Sequence, residues 1–472
     1  MTDQDDLVRH LSRHAALTRY DDVTEVARLR AKQGIIDTLG VILASTGREP
    51  RIAPVLDLVT ENGGRPDASV FGTDIRAPAA AAALANGTLA HALDFDSMTP
   101  WGAHADSSIV PTVLALAEKK GGITGKDLIT AVAVGEDMFI RFITNVGWKM
   151  DWNLSTSVGA FSTTAAGGAV AGLNETQMLH AMGLASTHAA GIMEQIFGIG
   201  SDMRGMYAGF GAQGCVNDVL LAEKGMYGPP ALFDGPAGFF NVYFKGDYKR
   251  DGILDGLGQE FRGDKMLYKY WPAVGTAFTH VHAAIELIRE NQIDSNDIEE
   301  IFVYVGNFHQ RMCYPLDVRK RPDLLIDAKF SLPFVIGLTM AKGDLKIGDF
   351  AVETLKDPAV LAMVDKVTPV EDSAFDWTDQ LPAGKVDVVL KNGRRLSRVG
   401  DDMPGTLDRP LTWDQLGQKF AQCAKAAARP LQGEAIERAL RIAQSLESMD
   451  DLSDLVSVIQ SGAGAIAGSK VA

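Results

Sequence analysis

The segment His91-Ala92-Leu93-Asp94-Phe95-Asp96, followed by Trp101-Gly102-Ala103-His104-Ala105-Asp106, is the richest cluster in the chain of side chains able to hold or move a proton. Histidine exchanges protons near neutral pH, and a neighbouring carboxylate can fix its tautomer or favour its charged form. If helix persists past the alanine-rich stretch Pro78 to Leu93, His91 and Asp94 stand one turn apart. Asp96 to His104 must be a loop, because it carries Pro100 and Gly102, and the apolar run Ile109 to Ala117 follows it. A polar loop mounted on buried helices is a natural site for general acid–base chemistry. The competing reading is that these groups cap helices and satisfy one another. A divalent metal could use the same side chains, but no second ligand motif accompanies them, so no metal is expected.

Two further stretches could supply positive charge. Lys269 lies in Met266-Leu267-Tyr268-Lys269-Tyr270-Trp271-Pro272, where its amine is either desolvated, held as a point charge for a carboxylate, or snorkelling beside core aromatics. Arg204, in Gly200-Ser201-Asp202-Met203-Arg204-Gly205, reads as a flexible-loop arginine suited to bidentate carboxylate binding, or else as a surface partner of Asp202. Gly209-Phe210-Gly211-Ala212-Gln213-Gly214 is a literal GxGxxG, but no strand pattern precedes it. Close helix packing explains it better than nucleotide binding.

These groups must be positioned by a chain of 472 residues with 46% hydrophobic and 22% charged residues, an ordinary globular composition. The formal net charge of −15 disfavours nucleic acid as a partner and obliges the site to supply its own cations for an anionic substrate. Cys215, Cys313 and Cys423 form no CxxC or Cys/His pattern, so neither an iron–sulfur cluster nor structural zinc is expected. The N-terminus is acidic and lacks an apolar signal region, and no apolar run is long enough to span a bilayer; a cytoplasmic protein away from membranes is expected.

Apolar spacing predicts helices from Val26 to Leu43, through the alanine-rich stretch ending at Leu93, across Ala165 to Leu173, from about Val274, over Phe330 to Lys342, and from Trp413 to Leu446. Ile301 to Val305 reads as a strand, and Val386 to Val399 as a hairpin turning at Asn392-Gly393 in a two-residue turn. The Gly/Ala/Ser-rich tail from Ser461 is expected to fray. The fold class is therefore mainly α: a large all-helical domain formed by both chain ends (1–264 plus 405–472) with an inserted smaller α+β domain (265–404).

Taken in order, Ile35-Ile36-Asp37-Thr38-Leu39-Gly40-Val41, Asn86-Gly87, the His91–Asp96 segment, His104, Ser157-Val158-Gly159, Lys269-Tyr270-Trp271-Pro272 and Ala328-Lys329-Phe330-Ser331-Leu332-Pro333 resemble the MmgE/PrpD family over nearly the whole chain. That family embraces dehydratases of 2-methylcitrate, decarboxylases of cis-aconitate and epimerases of iminodisuccinate. The resemblance implies a homodimer, a lid formed by the inserted domain, a site between the two domains, and no metal or cofactor. It matches Asp94 and His104 to an acid–base pair and Lys269 to a lid-side lysine. Arg204, Asn153 and Val274 depart from the decarboxylases, which carry a lysine and two histidines there. The expected function is proton abstraction α to a carboxylate of a small di- or tricarboxylate, with a hydro-lyase first and an epimerase or decarboxylase as alternatives. His104 would be the main base or acid and Asp94 its partner. Arg204 and Lys269 would face substrate carboxylates, and Trp101, Asn153 and Tyr207 would shape the pocket. A catalytically inactive dimeric binding protein is the alternative from a different class.

Overall fold

The computed structural model describes residues 6–378 and 380–462; residues 1–5 and the tail from 463 on, where fraying was expected, lie outside it. The chain is mainly helical, with a small mixed sheet in its C-terminal region. Ten helices lead in: α1 (Leu7–Leu17), α2 (Glu25–Arg48), α3 (Ala53–Asn62), α4 (Ala79–His91), α5 (Asp106–Lys120), α6 (Gly125–Ile143), α7 (Ser157–Ala171), α8 (Glu175–Ala185), the single turn α9 (Glu194–Phe197) and α10 (Met203–Glu223). A two-residue ribbon, β1 (Ala68–Ser69) against β2 (Arg76–Ala77), interrupts them, so the N-terminal region is not all-helical as expected.

The buried apolar side chains fall into two main clusters. The larger draws on both chain ends, from Leu7 through Tyr268 and again from Leu411 to Ile459. The smaller runs from Leu267 to Met403 and takes in Met98. Within the first, the GxGxxG segment lies inside α10 rather than after a strand. A Cβ on Gly209 would fall 2.3 Å from the Leu84 carbonyl and 2.3 Å from Thr88 Oγ1, and one on Gly87 would fall 2.7 Å from Gly209 Cα. Only glycine permits this backbone-to-backbone crossing of α4 and α10. The crossing sets the C-terminal end of α4, carrying His91, beside the first turns of α10, carrying Tyr207.

The second cluster is built on a sheet of order β4-β3-β5-β6, with β3 Ile298–Val305, β4 Val367–Glu371, β5 Gly384–Leu390 and β6 Arg395–Gly400. Ile301, Val303 and Val305 alternate inward, as half-buried strands require. Strand β4, parallel to β3 and absent from the sequence reading, contains Pro369, which suits an edge position. The β5–β6 hairpin turns differently from expectation. Gly393 has φ +81°, its N–H donates to the Leu390 carbonyl, and Leu390 N–H donates to the Arg394 carbonyl. Asn392 is not in the left-handed region, so the turn is a three-residue loop closed by a left-handed glycine, not a two-residue Asn-Gly turn. The helices Phe278–Asn291 and Leu332–Lys342 cover the sheet. The helical run expected from Trp413 to Leu446 is broken into Trp413–Lys425 and Gly433–Gln444, with Pro430 in the gap. No helix among the described residues is long and apolar enough to cross a membrane.

Candidate functional site

At the end of α4 the chain leaves helical geometry. Asp94 adopts φ +49°, a left-handed conformation uncommon for a side chain larger than glycine, and its N–H donates to the His91 carbonyl. This turn puts Asp94 and Asp96 into the interior, both essentially without solvent exposure. From below, Lys419 on the C-terminal helix Trp413–Lys425 pairs with Asp37 at 2.6 Å and donates to the Phe95 carbonyl at 2.7 Å. The loop from Ser97 is closed by the Ser97 hydroxyl donating to Asp106 at 2.7 Å and by Thr99 N–H donating to the Ala103 carbonyl. His104 N–H donates to Ser155 Oγ, tying the loop to the segment before α7.

Asp96 is the hub. It stands 2.9 Å from His91 Nδ1 and 3.1 Å from His104 Nδ1. Burial alone would raise its carboxyl; the two imidazoles overcome this and hold it well below the usual carboxylate range. His104 Nδ1 also lies 2.9 Å from the Ser97 carbonyl, which can only accept, so Nδ1 carries the proton and Nε2 is left as the free ring nitrogen. Nε2 is 4.0 Å from Asp94 Oδ1. Lys269 Nζ donates to Asp94 Oδ1 at 2.6 Å and to the Asp94 carbonyl at 2.9 Å. Asp94 Oδ2 is buried without a hydrogen-bond partner among the described residues. The carboxylate that orients His104 is therefore Asp96, with Asp94 held by Lys269; the sequence reading had paired Asp94 with His104 in that role.

These groups open onto a cleft between the two cores, about 710 Å³ including its mouth. His91, Asp94, His104, Asn153, Trp101 and Tyr207 reach its wall. Burial pushes the Tyr207 phenol well above its ordinary range, with Asp96 and Asp94 adding to the effect, so it remains a donor. Asn153 Oδ1 accepts from Ser155 N–H, which fixes the loop carrying Ser155. Lys269 stands behind Asp94, without solvent exposure of its side chain.

Arg204 is placed otherwise than expected. It sits in the first turn of α10, not in a loop, and Asp202 pairs with Arg51 instead. Its guanidinium is buried, 3.4 Å from Asp327, donates to the Gly198 carbonyl and stacks over the Phe330 ring; Phe330 lines the cleft and Arg204 does not. Burial draws it down to about 10, with Asp327 only partly opposing. Lys329, in the Ala328–Pro333 segment, is a buried ammonium with no hydrogen-bond partner among the described residues. Burial draws it down to about 8, against the opposing charges of Glu49 and Asp94.

His91, Asp94, Asp96 and His104 offer ligand atoms within 4.8 Å of one another. Both Nδ1 atoms already point at Asp96, and Asp94 is committed to Lys269, so an ion seated among them would displace bonds now made internally. A second group, His188, Cys215 and Asp218, is held by a 2.7 Å contact between His188 Nε2 and Asp218. The buried Cys215 thiol donates to the Ala160 carbonyl at 3.3 Å, and burial pushes its pKa up.

Beneath the loop lies a buried carboxyl pair. Burial and the neighbouring Asp106 keep Glu136 protonated well above its usual range. Burial drives Asp106 up to about 7, with Ser97 and Glu136 opposing. An unfolded aspartate loses its proton near about 4. From roughly pH 4 to 7 the folded chain therefore keeps a proton that the unfolded chain has lost, and stability falls with rising pH on account of this group. Asp106→Asn removes that dependence. In calorimetric scans its melting temperature should gain on the parent's throughout this window and then level off. A difference that does not vary with pH would contradict the assignment.

Fold and site together describe a mainly helical protein with a buried histidine–carboxylate cluster facing a cleft between two cores. The chain belongs to the MmgE/PrpD family: residues 9–251 match the MmgE/PrpD N-terminal domain and residues 271–445 the C-terminal domain. It is 25% identical to cis-aconitate decarboxylase of Homo sapiens over 91% of this chain and 90% of that protein. It is 25% identical to a cis-aconitate decarboxylase-like protein of Aspergillus oryzae over 83% of this chain and 84% of that one. With 2-methylcitrate dehydratase of Escherichia coli it shares 24% identity over 82% of this chain and 83% of the relative.

Proposed function

We propose that the protein is a lyase that removes a proton from a carbon α to a substrate carboxylate, without a cofactor, and most simply a hydro-lyase. The observation that carries this is the disposition of His104: Nδ1 fixed by the Ser97 carbonyl and Asp96, Nε2 free beside the buried Asp94–Lys269 pair and the cleft.

In this reading Nε2 takes the α-proton as the Cα–H bond breaks. The electron pair becomes the new C=C bond while the β C–O bond breaks, and the departing hydroxide takes the proton back from the imidazolium and leaves as water. Asp96 on one nitrogen and Asp94 near the other stabilise the transient imidazolium. Negative charge growing on the substrate carboxylate needs donors already in place, and the Tyr207 phenol is one. Trp101 and Asn153 shape the pocket, and Arg204 and Lys329 supply positive potential from behind its wall. Residues 265–404 act as the lid over a helical domain of 1–264 plus 405–472, in a homodimer.

One relative is by name a cis-aconitate decarboxylase and another is named as cis-aconitate decarboxylase-like, which makes loss of CO₂ the second reading. Incubation of the pure protein with 2-methylcitrate, citrate, cis-aconitate and iminodisuccinate, followed by product NMR, separates the cases. A new alkene without carbon loss supports the hydro-lyase. Carbon loss supports the decarboxylase, and inversion at one centre the epimerase. A ligand bound without turnover, in a folded protein, would favour the binding protein over any of them.

A further inference from the structure

The cleft is strongly two-sided. Its polar side is contributed by His91, Asp94, His104, Asn153, Ser155 and Tyr207, all from the N-terminal half. The facing side comes from the smaller core and presents Val274, Phe308, Phe330 and Leu381, with Trp377 against Phe308. The one hydroxyl there, on Thr276, is already donated to Met312 Sδ at 3.1 Å. Among the described residues no lysine or arginine lines the cleft. Of the nearby cations, Lys269 is bonded to Asp94, Arg204 is bonded to Asp327 and the Gly198 carbonyl and stacks over the Phe330 ring, and the buried Lys329 is not among the cleft's lining residues. Further apolar groups, Met98, Trp148, Met193 and Ile196, also line the cleft. A substrate bearing several carboxylates would have to desolvate charges against aromatic rings with no cation opposite, which is strongly unfavourable.

From this wall we infer that the substrate is a carboxylate with a single charged end and a bulky apolar or aromatic body. The carboxylate and its α-carbon face His104 and Tyr207, and the body lies against Phe308, Phe330 and Trp377. This rests on the reaction proposed above and specifies what the site accepts. Rings packing offset or edge-on against these aromatics gain affinity beyond their buried area.

The test titrates the full-length protein calorimetrically with three β-hydroxy carboxylates: 3-hydroxybutanoate, 3-hydroxy-3-phenylpropanoate and 2-methylcitrate. Replacing the methyl by phenyl is expected to lower Kd by about tenfold or more, the fold-change that burial of a ring of this size gives. 2-Methylcitrate should bind more weakly than the phenyl compound, and Val274→Lys, which puts a cation on the apolar side, should reverse that order. A circular dichroism melt of the variant establishes that it is folded. If that variant does not fold, Leu381→Arg at the same wall is read in its place. Tighter binding of 2-methylcitrate than of the phenyl compound by the parent chain would overturn the inference, as would no gain from methyl to phenyl. Proton NMR of the same samples in D₂O keeps the two readings apart. Tight binding of the phenyl compound without α-exchange upholds the substrate class and sinks the proton chemistry. Exchange confined to 2-methylcitrate does the reverse.

Discussion

Replacing His104 by glutamine is expected to lower turnover by a factor of about 10²–10⁴ while leaving the fold intact, the range typical for loss of a positioned general base. Glutamine sets its amide near the position of Nε2, with no basic nitrogen there, and the backbone bond from residue 104 to Ser155 is untouched. His104 stands at the rim of the buried cluster, with its side chain 11% exposed, so little packing is lost. Asp96 keeps His91 as a partner. What disappears is the free Nε2 facing the cleft. The measurement is kcat on whichever substrate turns over, alongside a circular dichroism melt. A variant that melts like the parent and turns over within about twofold of it would remove His104 from the chemistry.

Lys269→Met is expected to cost about 3–5 kcal/mol of stability, because it leaves the Asp94 carboxylate buried and unpaired. Lys269 makes two bonds to Asp94, to Oδ1 and to the carbonyl, and neither side chain reaches solvent. Adding Asp94→Asn should return a large part of the loss, since asparagine removes the stranded charge and tolerates the left-handed backbone at this position. Denaturant melts of the two single variants and the double variant complete the cycle. If Lys269→Met cost less than about 1 kcal/mol, or if the double variant were as unstable as the sum of the singles, the pair would not be coupled as described.

How much of this was readable beforehand differs by residue. The helices around Ile35, Ala82 and Ala166 were legible because their apolar and small residues recur at helical spacing over several turns. The hairpin was legible from Asn392-Gly393, but not its loop type, which depends on one φ angle that both residues can reach. Strand Val367–Glu371 was hidden by its own Pro369 and by brevity; only its parallel neighbour β3 makes it a strand. In the site, His91, Asp94, Asp96 and His104 were identified as a cluster, yet their pairing was not. It depends on the turn at Asp94, which sends Asp96 toward both histidines and Asp94 toward a lysine distant in sequence. Arg204 was misplaced in a loop because Gly200 and Gly205 flank it, whereas α10 begins at Met203. Lys329 passed without a role since a lone lysine in an apolar run carries no signal until its surroundings are known. The apolar wall was invisible for the same reason: Val274, Phe330 and Trp377 look like core residues until the cleft is seen between them.

The central claim is that His104 Nε2 removes a proton from the carbon next to a carboxylate, and solvent exchange measures that step directly. Proton NMR in D₂O should show deuterium entering the α-carbon of a bound carboxylate with the parent protein. With His104→Gln it should show none above the uncatalysed rate. Turnover by the parent without any α-exchange or α-proton loss, or exchange undiminished in His104→Gln, would contradict the account.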